Sequence, residues 1–581
     1  MQDLDQSERA IAVIGISCRV PGAKSWPEFW SLLVEGRSSL QVFESSELSE
    51  RGVEQETFQN PNYVRANNVM EDVDKFDAHY FGMSPGEASS VDPQQRVFLE
   101  GAVHALNDAG HVPRKSGRDI GIFGGCGKND YLHQNLKLNP NISYSELYRL
   151  MLANEKDFMT TRVAYQLGLT GPAISLNTAC STSLVAVHLA CQSLLAGDCQ
   201  MALAGGSCIA LPQDVGYPYE KGMIFSRDGK CRPFDSEASG TSPGRGMGIV
   251  LLRPLKDAIT HQDHIYAVIR GTAVNNDGQE KIGYTAPSPI GQIRVIKQAL
   301  RVSGVHPESI EMVEAHGTGT PLGDPIEFEA LSQAWKSFTQ ATGFCSIGSL
   351  KSNFGHAESA AGILGFIKVV LSLYHGMIPK TLHFRQPNPE LELENSPFRV
   401  AKETKIWPST KFPRRGAVSS FGMGGTNAHA VLEEAPRSRI ISRKTPEPNG
   451  GFRLVPLSGK SQESVQRMAK NLKGHLENNG GILLGDISYT LIQGREEFPF
   501  RAISTVGSVE DLKSTLERHS KKSDYPQFNR DELVFVFPGQ GSQYVRMAKD
   551  LYCEDAEFRR NLKLCADSFS KHLDWDLLQT L

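Results

Sequence analysis

The chain has 581 residues, of which 40% are hydrophobic and 22% charged, with a formal net charge of −4. That length exceeds what one hydrophobic core usually supports, so at least two folded units are expected. The near-neutral balance argues against a nucleic-acid binder or a basic membrane-surface protein.

The opening MQDLDQSERA is acidic and has no apolar stretch, which speaks against a signal peptide and for a cytoplasmic protein. From about Ile11 to Glu434, β-rich runs such as IAVIG (11–15), GIFGG (121–125) and MALAGGSCIA (201–210) alternate with helical patterns. Such alternation predicts an α/β layered fold. The ten cysteines contain no CxxC pair and no Cys/His ligand spacing, so neither a disulfide framework nor a zinc site is expected. Most are expected to be small buried hydrophobes.

AISLNTACSTSLVAVHLACQSLLAG (173–197) reads as a strand over Ala173–Thr178 running into a helix from Ser181. Cys180 then lies on a tight turn at a helix start. Partial positive charge and free N–H groups there lower a thiol's pKa and can hold an oxyanion. MVEAHGTGTPLGD (312–324) is a short strand ending at His316, followed by a Gly/Thr turn with hydroxyls for a polar ligand. SIGSLKSNFGHAESAAGILGFIKVV (346–370) is a strand, a loop with Lys351 and His356, and a long helix of small residues. The most apolar long run, Ala360 to Ile378, belongs to this helix; Lys368 and His375 interrupt it, so no membrane span is expected. SSFGMGGTNAHAVLEE (419–434) adds a Gly-rich turn whose N–H groups can face a bound oxygen. A thiol and two imidazoles on separate strand-end loops suit acyl-thioester chemistry. Each half of this region holds a strand leading into such a loop, which suits a duplicated fold.

Beyond Glu434, the basic, Pro-containing APRSRIISRKTPEPNGG reads as a linker. A small α/β unit follows over about 452–527, with strands RLVPLS and RAISTV and an amphipathic helix over Gln462–Glu477. LVFVFPGQGSQY (533–544) reads as a buried strand entering a Gly-rich turn and a helix.

NTACSTSL, EAHGTGT, KSNFGH and SFGMGGTNAH, in this order, closely resemble the four active-site motifs of β-ketoacyl synthases in modular polyketide synthases. The resemblance covers the first 434 residues, including IAVIGISCRVPGA and VDPQQRVFLE (91–100). It implies a thiolase-like fold, α-β-α-β-α layered from two similar halves, and usually a homodimer. The implied domains are a tail at 1–9, a ketosynthase at 10–434, a ketosynthase–acyltransferase linker at 435–530 and the truncated start of an acyltransferase at 531–581.

By this resemblance Cys180 is the nucleophile that takes an acyl chain from an acyl carrier protein. His316 and His356 promote decarboxylation of a malonyl-type extender, and Lys351 organises the His356 loop. The backbone N–H groups of Cys180 and Met423 form the oxyanion hole. Thr318, Thr320 and Phe421 contact the phosphopantetheine arm. No metal or bound cofactor is implied; the partners are the carrier protein, the acyltransferase and other domains of the same multienzyme, with no nucleic acid and no membrane. The leading expectation is decarboxylative Claisen condensation. A non-elongating ketosynthase that only transacylates or gatekeeps is the alternative, but it would not need both histidines. A decarboxylating loading ketosynthase normally has glutamine at the Cys180 position.

Four positions depart from the family pattern: Asn177 where Asp is common, Thr182 for Ser, Met423 for an aromatic or branched residue, and Arg245 where an acidic residue is usual. GMSPG (82–86) and GTSPG (240–244) match the hydrolase pattern G-x-S-x-G, but proline after each serine removes the N–H that a nucleophile elbow needs. Both are expected to be structural turns.

Overall fold

The computed structural model describes residues 9–136, 142–408, 412–436, 451–522, 524–525 and 535–580. Two compact units divide at residues 526 and 527. The first is built on an eleven-stranded sheet. In chain order its strands are β1 (Ile11–Arg19), β2 (Ile120–Cys126), β3 (Ala173–Ser175), β4 (Met201–Cys208) and β5 (Gly246–Pro254) in one half. The other half has β6 (Ala267–Asn276), β7 (Met312–Glu314), β8 (Cys345–Gly348), β9 (Phe398–Val400), β10 (Arg415–Phe421) and β11 (Thr426–Glu434). The spatial order is β9-β8-β7-β10-β11-β6-β1-β5-β4-β2-β3.

Read outward from the central β1/β6 pair, the halves repeat one another. β1-β5-β4-β2-β3 matches β6-β11-β10-β7-β8, with two antiparallel pairings followed by two parallel ones on each side. β9 is an addition at one edge. The central pair is antiparallel, with Ala12 opposite Val268 and Ile11 opposite Ile269. Each central strand then bulges at the same place, between Val13 and Gly15 and between Ile269 and Gly271. Glycine follows each bulge because a helix packs there. A Cβ on Gly15 would lie 2.4 Å from the Ala105 carbonyl of α1 (Pro93–Asp108). A Cβ on Gly271 would lie 2.6 Å from Ser303 N in the equivalent helix Pro289–Ser303.

Three apolar clusters fix the layers. One lies between α1 and the first half-sheet, around Phe98, Ile122 and Ile249. Another lies under Pro289–Ser303, around Ile296, Trp335 and Ile347. The largest is central and holds α2 (Thr182–Ala196) and the helix Ala361–His375. β1 alternates between clusters, with Ile11 and Val13 in the central one and Ala12 and Ile14 in the outer one. The result is the expected α-β-α-β-α layering. Among the described residues one helical run, Ala179–Ala196, is long and apolar enough to span a membrane, and 61% of it is buried. A helix apolar on all sides belongs in such a core. Three further helices of this region are α3 (Pro289–Ser303), α4 (Gly323–Lys336) and α5 (Ala361–His375).

A smaller αβ element follows, with antiparallel strands β12 (Arg453–Gly459) and β13 (Phe500–Val506). Its helices are α6 (Gln462–Asn478), α7 (Leu484–Gln493) and α8 (Val509–Lys521). They close on Val455, Leu457, Val465, Leu512 and Leu516. The basic stretch before it falls outside the described residues at 437–450. Polar contacts hold the small element to the large one. Lys115 Nζ donates to the Ile492 carbonyl at 2.7 Å, Arg495 donates to the Asn107 carbonyl at 2.9 Å, and Lys460 bonds the Tyr80 carbonyl.

In the second unit, the strand expected at 533–537 is not formed over its described part. Phe535, Val536 and Phe537 are 73%, 82% and 87% exposed, and among the described residues no strand pairs with them. An isolated strand without a neighbour leaves its backbone groups to water and gains no sheet.

Candidate active site

The turn carrying Cys180 is made by strain and by glycine. Only Ala173–Ser175 pair as strand, shorter than the run to Thr178 that the sequence predicts. Beyond them Ala179 adopts φ +54°, a left-handed conformation that costs a non-glycine residue on the order of 1 kcal/mol. Cys180 then sits in a short 3₁₀ turn, Ala179–Ser181, immediately before α2. The Thr178 N–H donates to Thr182 Oγ1 at 2.8 Å, and Ser181 Oγ donates to the Thr178 carbonyl at 2.9 Å. Threonine at 182 thus serves the turn through its hydroxyl. The Gly-rich loop after β10 closes over this turn. Ser420 Oγ donates to the Cys180 carbonyl at 2.9 Å, and a Cβ on Gly422 would stand only 2.3 Å from the Thr178 carbonyl.

Both backbone N–H groups expected to form an oxyanion hole, those of Cys180 and Met423, reach the Cys180 sulfur. Met423 is 50% exposed. The expectation of a low thiol pKa is not met. Burial and then the Glu358 charge push the Cys180 thiol above its ordinary range, outweighing the two N–H groups and Lys351. Desolvation disfavours the thiolate more than the helix start favours it.

His316 follows β7, and its loop is caught by two carboxylates from the first turns of α4. Glu327 Oε1 accepts the His316 N–H at 2.6 Å and Oε2 accepts the Gly317 N–H at 2.7 Å. Asp324 accepts the Gly319 N–H at 3.0 Å and the Phe234 N–H at 2.7 Å. Burial pushes Glu327 up to about 7 and Asp324 up to about 6. Neither residue stands out in the sequence beyond an acidic i,i+3 pair at a helix start, which commonly serves only the helix dipole.

His356 is clamped by the segment GTSPG (240–244), one of the two hydrolase-like matches. The His356 N–H donates to the Ser242 carbonyl at 2.9 Å, and its carbonyl accepts the Gly244 N–H at 3.0 Å. The other match, GMSPG, caps a helix: Ser84 Oγ accepts the Glu87 N–H at 3.2 Å. Both are structural. Arg245, next to the clamp, is 2% exposed and donates to the carbonyls of Ala210, Asn68 and Pro212 and to Asn67 Oδ1. Among the described residues no carboxylate pairs with it at ion-pair distance, and burial lowers its pKa to about 10. The change from an acidic residue is absorbed by backbone carbonyls.

The two imidazole rings lie 5.4 Å apart, nearly perpendicular at 82°, and Phe421 packs 5.8 Å from His316. In each, Nδ1 faces a backbone donor: Phe421 N–H to His316 at 3.5 Å, Glu358 N–H to His356 at 3.0 Å. A neutral imidazole that accepts at Nδ1 carries its proton on Nε2. Burial and the Lys351 charge hold both rings well below the ordinary histidine range. Lys351 is itself buried, and its Nζ donates to the His316 carbonyl at 2.5 Å. It therefore links the two histidine loops. Behind it, Lys368 pairs with Glu314 at 2.6 Å, and Glu314 also accepts the Leu350 N–H at 2.7 Å.

Cys180, His316 and His356 line one cavity of about 540 Å³, together with Thr318, Thr320 and Phe421. Met423 also borders it, and Lys351 bonds the carbonyl of His316 in its wall. The Thr318 and Thr320 hydroxyls are 2.9 Å apart. Every residue expected from the motifs is therefore brought to this cavity or bonded to its wall. The chemistry available is a thiol, two N–H groups at its sulfur, and two neutral imidazoles.

Known proteins are similar to this chain in sequence and in fold. The chain matches the model of the beta-ketoacyl synthase N-terminal domain at residues 8–258 and that of its C-terminal domain at 266–385. The ketoacyl-synthetase C-terminal extension matches at 387–504. It is 43% identical to a phenolphthiocerol/phthiocerol polyketide synthase of Mycobacterium tuberculosis, over 98% of this chain and 40% of that protein. It is 38% identical to erythronolide synthase EryA2 of Saccharopolyspora erythraea, over 99% of this chain and 16% of that protein. The chain thus spans well under half of these relatives. Ketosynthase twelve of the bacillaene polyketide synthase of Bacillus amyloliquefaciens superposes with a TM-score of 0.82 at 37% identity, covering 88% of this chain and 89% of that one. The ketosynthase of module 1 of the same organism's bacillaene synthase gives 0.80 at 38%, covering 89% and 90%. Fold, site and sequence agree: the chain belongs to the β-ketoacyl synthase family, as a ketosynthase of the polyketide synthase type.

Proposed function

We propose that this chain elongates acyl chains by decarboxylative Claisen condensation within a polyketide multienzyme. The sulfur of the Cys180 thiol attacks an acyl thioester of an acyl carrier protein, the old C–S bond breaks, and the proton that Cys180 gives up leaves with the carrier's phosphopantetheine as its thiol. A malonyl-type extender on a carrier protein then loses carbon dioxide, and the electron pair of the broken bond forms an enolate. The enolate carbon attacks the acyl-Cys180 carbonyl, the thiolate departs, and a β-ketoacyl thioester remains on the carrier.

The observation that carries this reading is the backbone N–H that faces Nδ1 of each histidine. With each Nδ1 facing a backbone N–H, two neutral Nε2–H donors border the cavity that Cys180 shares. An enolate oxygen developing there finds fixed donors that need no reorganisation. The Cys180 and Met423 N–H groups suit the oxyanion of the second attack, and Thr318, Thr320 and Phe421 suit the phosphopantetheine arm. Transacylation alone requires the thiol and not the histidine pair.

The site in this proposal works in the cytoplasm, where all ten cysteines, each free in the structure, stay reduced. In this reading residues 435–530 are the linker to an acyltransferase that begins near residue 531. Among the described residues no strand pairs with the outer edge of β3, where Ile174 is 44% exposed, which suits pairing with a second copy in a homodimer.

The test uses the full chain with an acyl donor and malonyl-loaded carrier protein, followed by mass spectrometry. Acyl-Cys180 and the β-ketoacyl product are both expected. His316→Ala is expected to load but not to condense, and Cys180→Ala to do neither. Loading without any product in the native protein would leave transacylation as its activity.

A further inference from the structure

The two histidines are anchored by opposite means. Carboxylates of α4 hold the His316 loop, whereas both peptide groups of His356 are bonded to the segment 242–244, through the Ser242 carbonyl and the Gly244 N–H. Pro243 and His356 form only an isolated bridge, which supplies little rigidity of its own. The clamp therefore needs support from elsewhere in the chain.

Asn68 gives it. Its Nδ2 donates to the Pro243 carbonyl at 2.9 Å and to Ser242 Oγ at 3.3 Å. The packing is close: Gly355, at φ +77°, passes where a Cβ would stand 2.7 Å from the Pro243 carbonyl and 2.8 Å from Asn68 Nδ2. Arg245 closes the ring. It follows the clamp in sequence and returns to Asn68, with Nη1 donating to the Asn68 carbonyl at 2.9 Å and to Asn67 Oδ1 at 2.7 Å. Asn67 Oδ1 also accepts the Asn68 N–H at 2.9 Å, and Ser39 Oγ donates to Asn68 Oδ1 at 2.9 Å. Nε and Nη2 of Arg245 are taken by the Ala210 and Pro212 carbonyls.

Arg245, Asn67 and Asn68 are all buried. Taking a cation and two carboxamides out of water is costly, and filling space requires only apolar side chains. What the polar set adds is direction, because a planar guanidinium accepts one arrangement of acceptors. At its other end the clamp meets the residue whose Nδ1 accepts the Glu358 N–H at 3.0 Å, so His356 is fixed at backbone and at ring. Neither Arg245 nor Asn68 lines the cavity.

We infer that Arg245 and Asn68 are positioning residues for His356: they hold the clamp at 242–244, and through it they set the aim of the imidazole, so that condensation depends on them and acyl loading does not. This rests on the reading of His356 as a donor to the enolate.

The experiment compares the full native chain with Arg245→Met, Arg245→Lys and Asn68→Ala. Loading of Cys180 from a butyryl N-acetylcysteamine thioester and condensation with malonyl-loaded carrier protein are both followed by mass spectrometry. Arg245→Met and Asn68→Ala are expected to condense about a hundredfold more slowly, the scale of a reacting group misplaced by an ångström, and to load at the native rate. Arg245→Lys keeps the charge and part of the donor set and is expected to recover about tenfold of that loss. Amide exchange over 355–358 is expected to quicken in the two slow variants, while that over 313–317 stays native. Loading and condensation slowed together, or native condensation in both variants, overturns the inference. If one of the two loses its circular dichroism the other decides, and loss of the fold in both makes the role structural and overturns it. A native chain that loads without condensing sinks the elongation reading instead, and exchange over 355–358 then decides whether the clamp depends on Arg245 and Asn68.

Discussion

Lys351 keeps a charge in a buried place because its surroundings are anionic. Burial lowers its pKa, while Glu314 and Glu327 work against that shift. Its charge in turn depresses His316 and His356. Lys351→Met removes that field, so both imidazoles gain protons at higher pH. The acidic limb of the condensation rate is therefore expected to move to higher pH, as read from a pH profile, while acyl loading keeps its own. Glu327 yields a stability prediction. Its folded pKa of about 7 lies above the ordinary 4.5, so between those values the folded protein holds a proton that the unfolded chain releases. Stability then falls as pH rises through that window, by on the order of 3 kcal/mol in all. Glu327→Gln has no such proton, and denaturant midpoints of native and variant protein are expected to draw towards the variant's favour as pH rises. At this scale the sequence was informative where residue type and spacing were unusual, as at Cys180, His316 and His356. It was silent on Glu327 and Glu358, because an acidic residue at a helix start serves the helix dipole in most proteins. It misjudged the Cys180 thiol, because burial depends on what folds over the turn.

The elements around the nucleophile are held by close backbone approach. The turn at 422–425 can touch the Cys180 turn only without a side chain at Gly422, where a Cβ would meet the Thr178 carbonyl at 2.3 Å. Gly422→Ala is expected to lift the Met423 N–H from the sulfur and slow acyl loading by about a hundredfold, the scale of one lost oxyanion donor. Near-native circular dichroism would accompany that loss. Most strands and helices could be drawn from the pattern, including α6, expected over Gln462–Glu477 and found over Gln462–Asn478. The exceptions have physical causes. The strand expected to reach Thr178 stops at Ser175, because the strained turn begins there. The run around Val536 finds no sheet to join. The duplication was faint in sequence because the halves share geometry and keep glycines after matching bulges, while their other side chains differ.

Across the whole molecule, the small αβ element is fastened to the large one mainly through Arg495, Lys115 and Lys460. These bonds are exposed or part-buried, so each contributes about 1 kcal/mol. Replacing Arg495 and Lys460 together by alanine is expected to free that element, seen as faster amide exchange at β12 and β13, while β1 and β6 keep their protection. The repeat described above reaches further. Each half supplies part of the chemistry, the thiol from one and both imidazoles from the other, and they meet along the β1/β6 seam and through α2 and α5. Only the exposed stretch around His261 and Gln262 joins them covalently. Two polypeptides divided there are expected to find one another when expressed together and to restore a loadable Cys180. The catalytic centre would then be a property of the seam, and the peptide bond across it a convenience of stoichiometry.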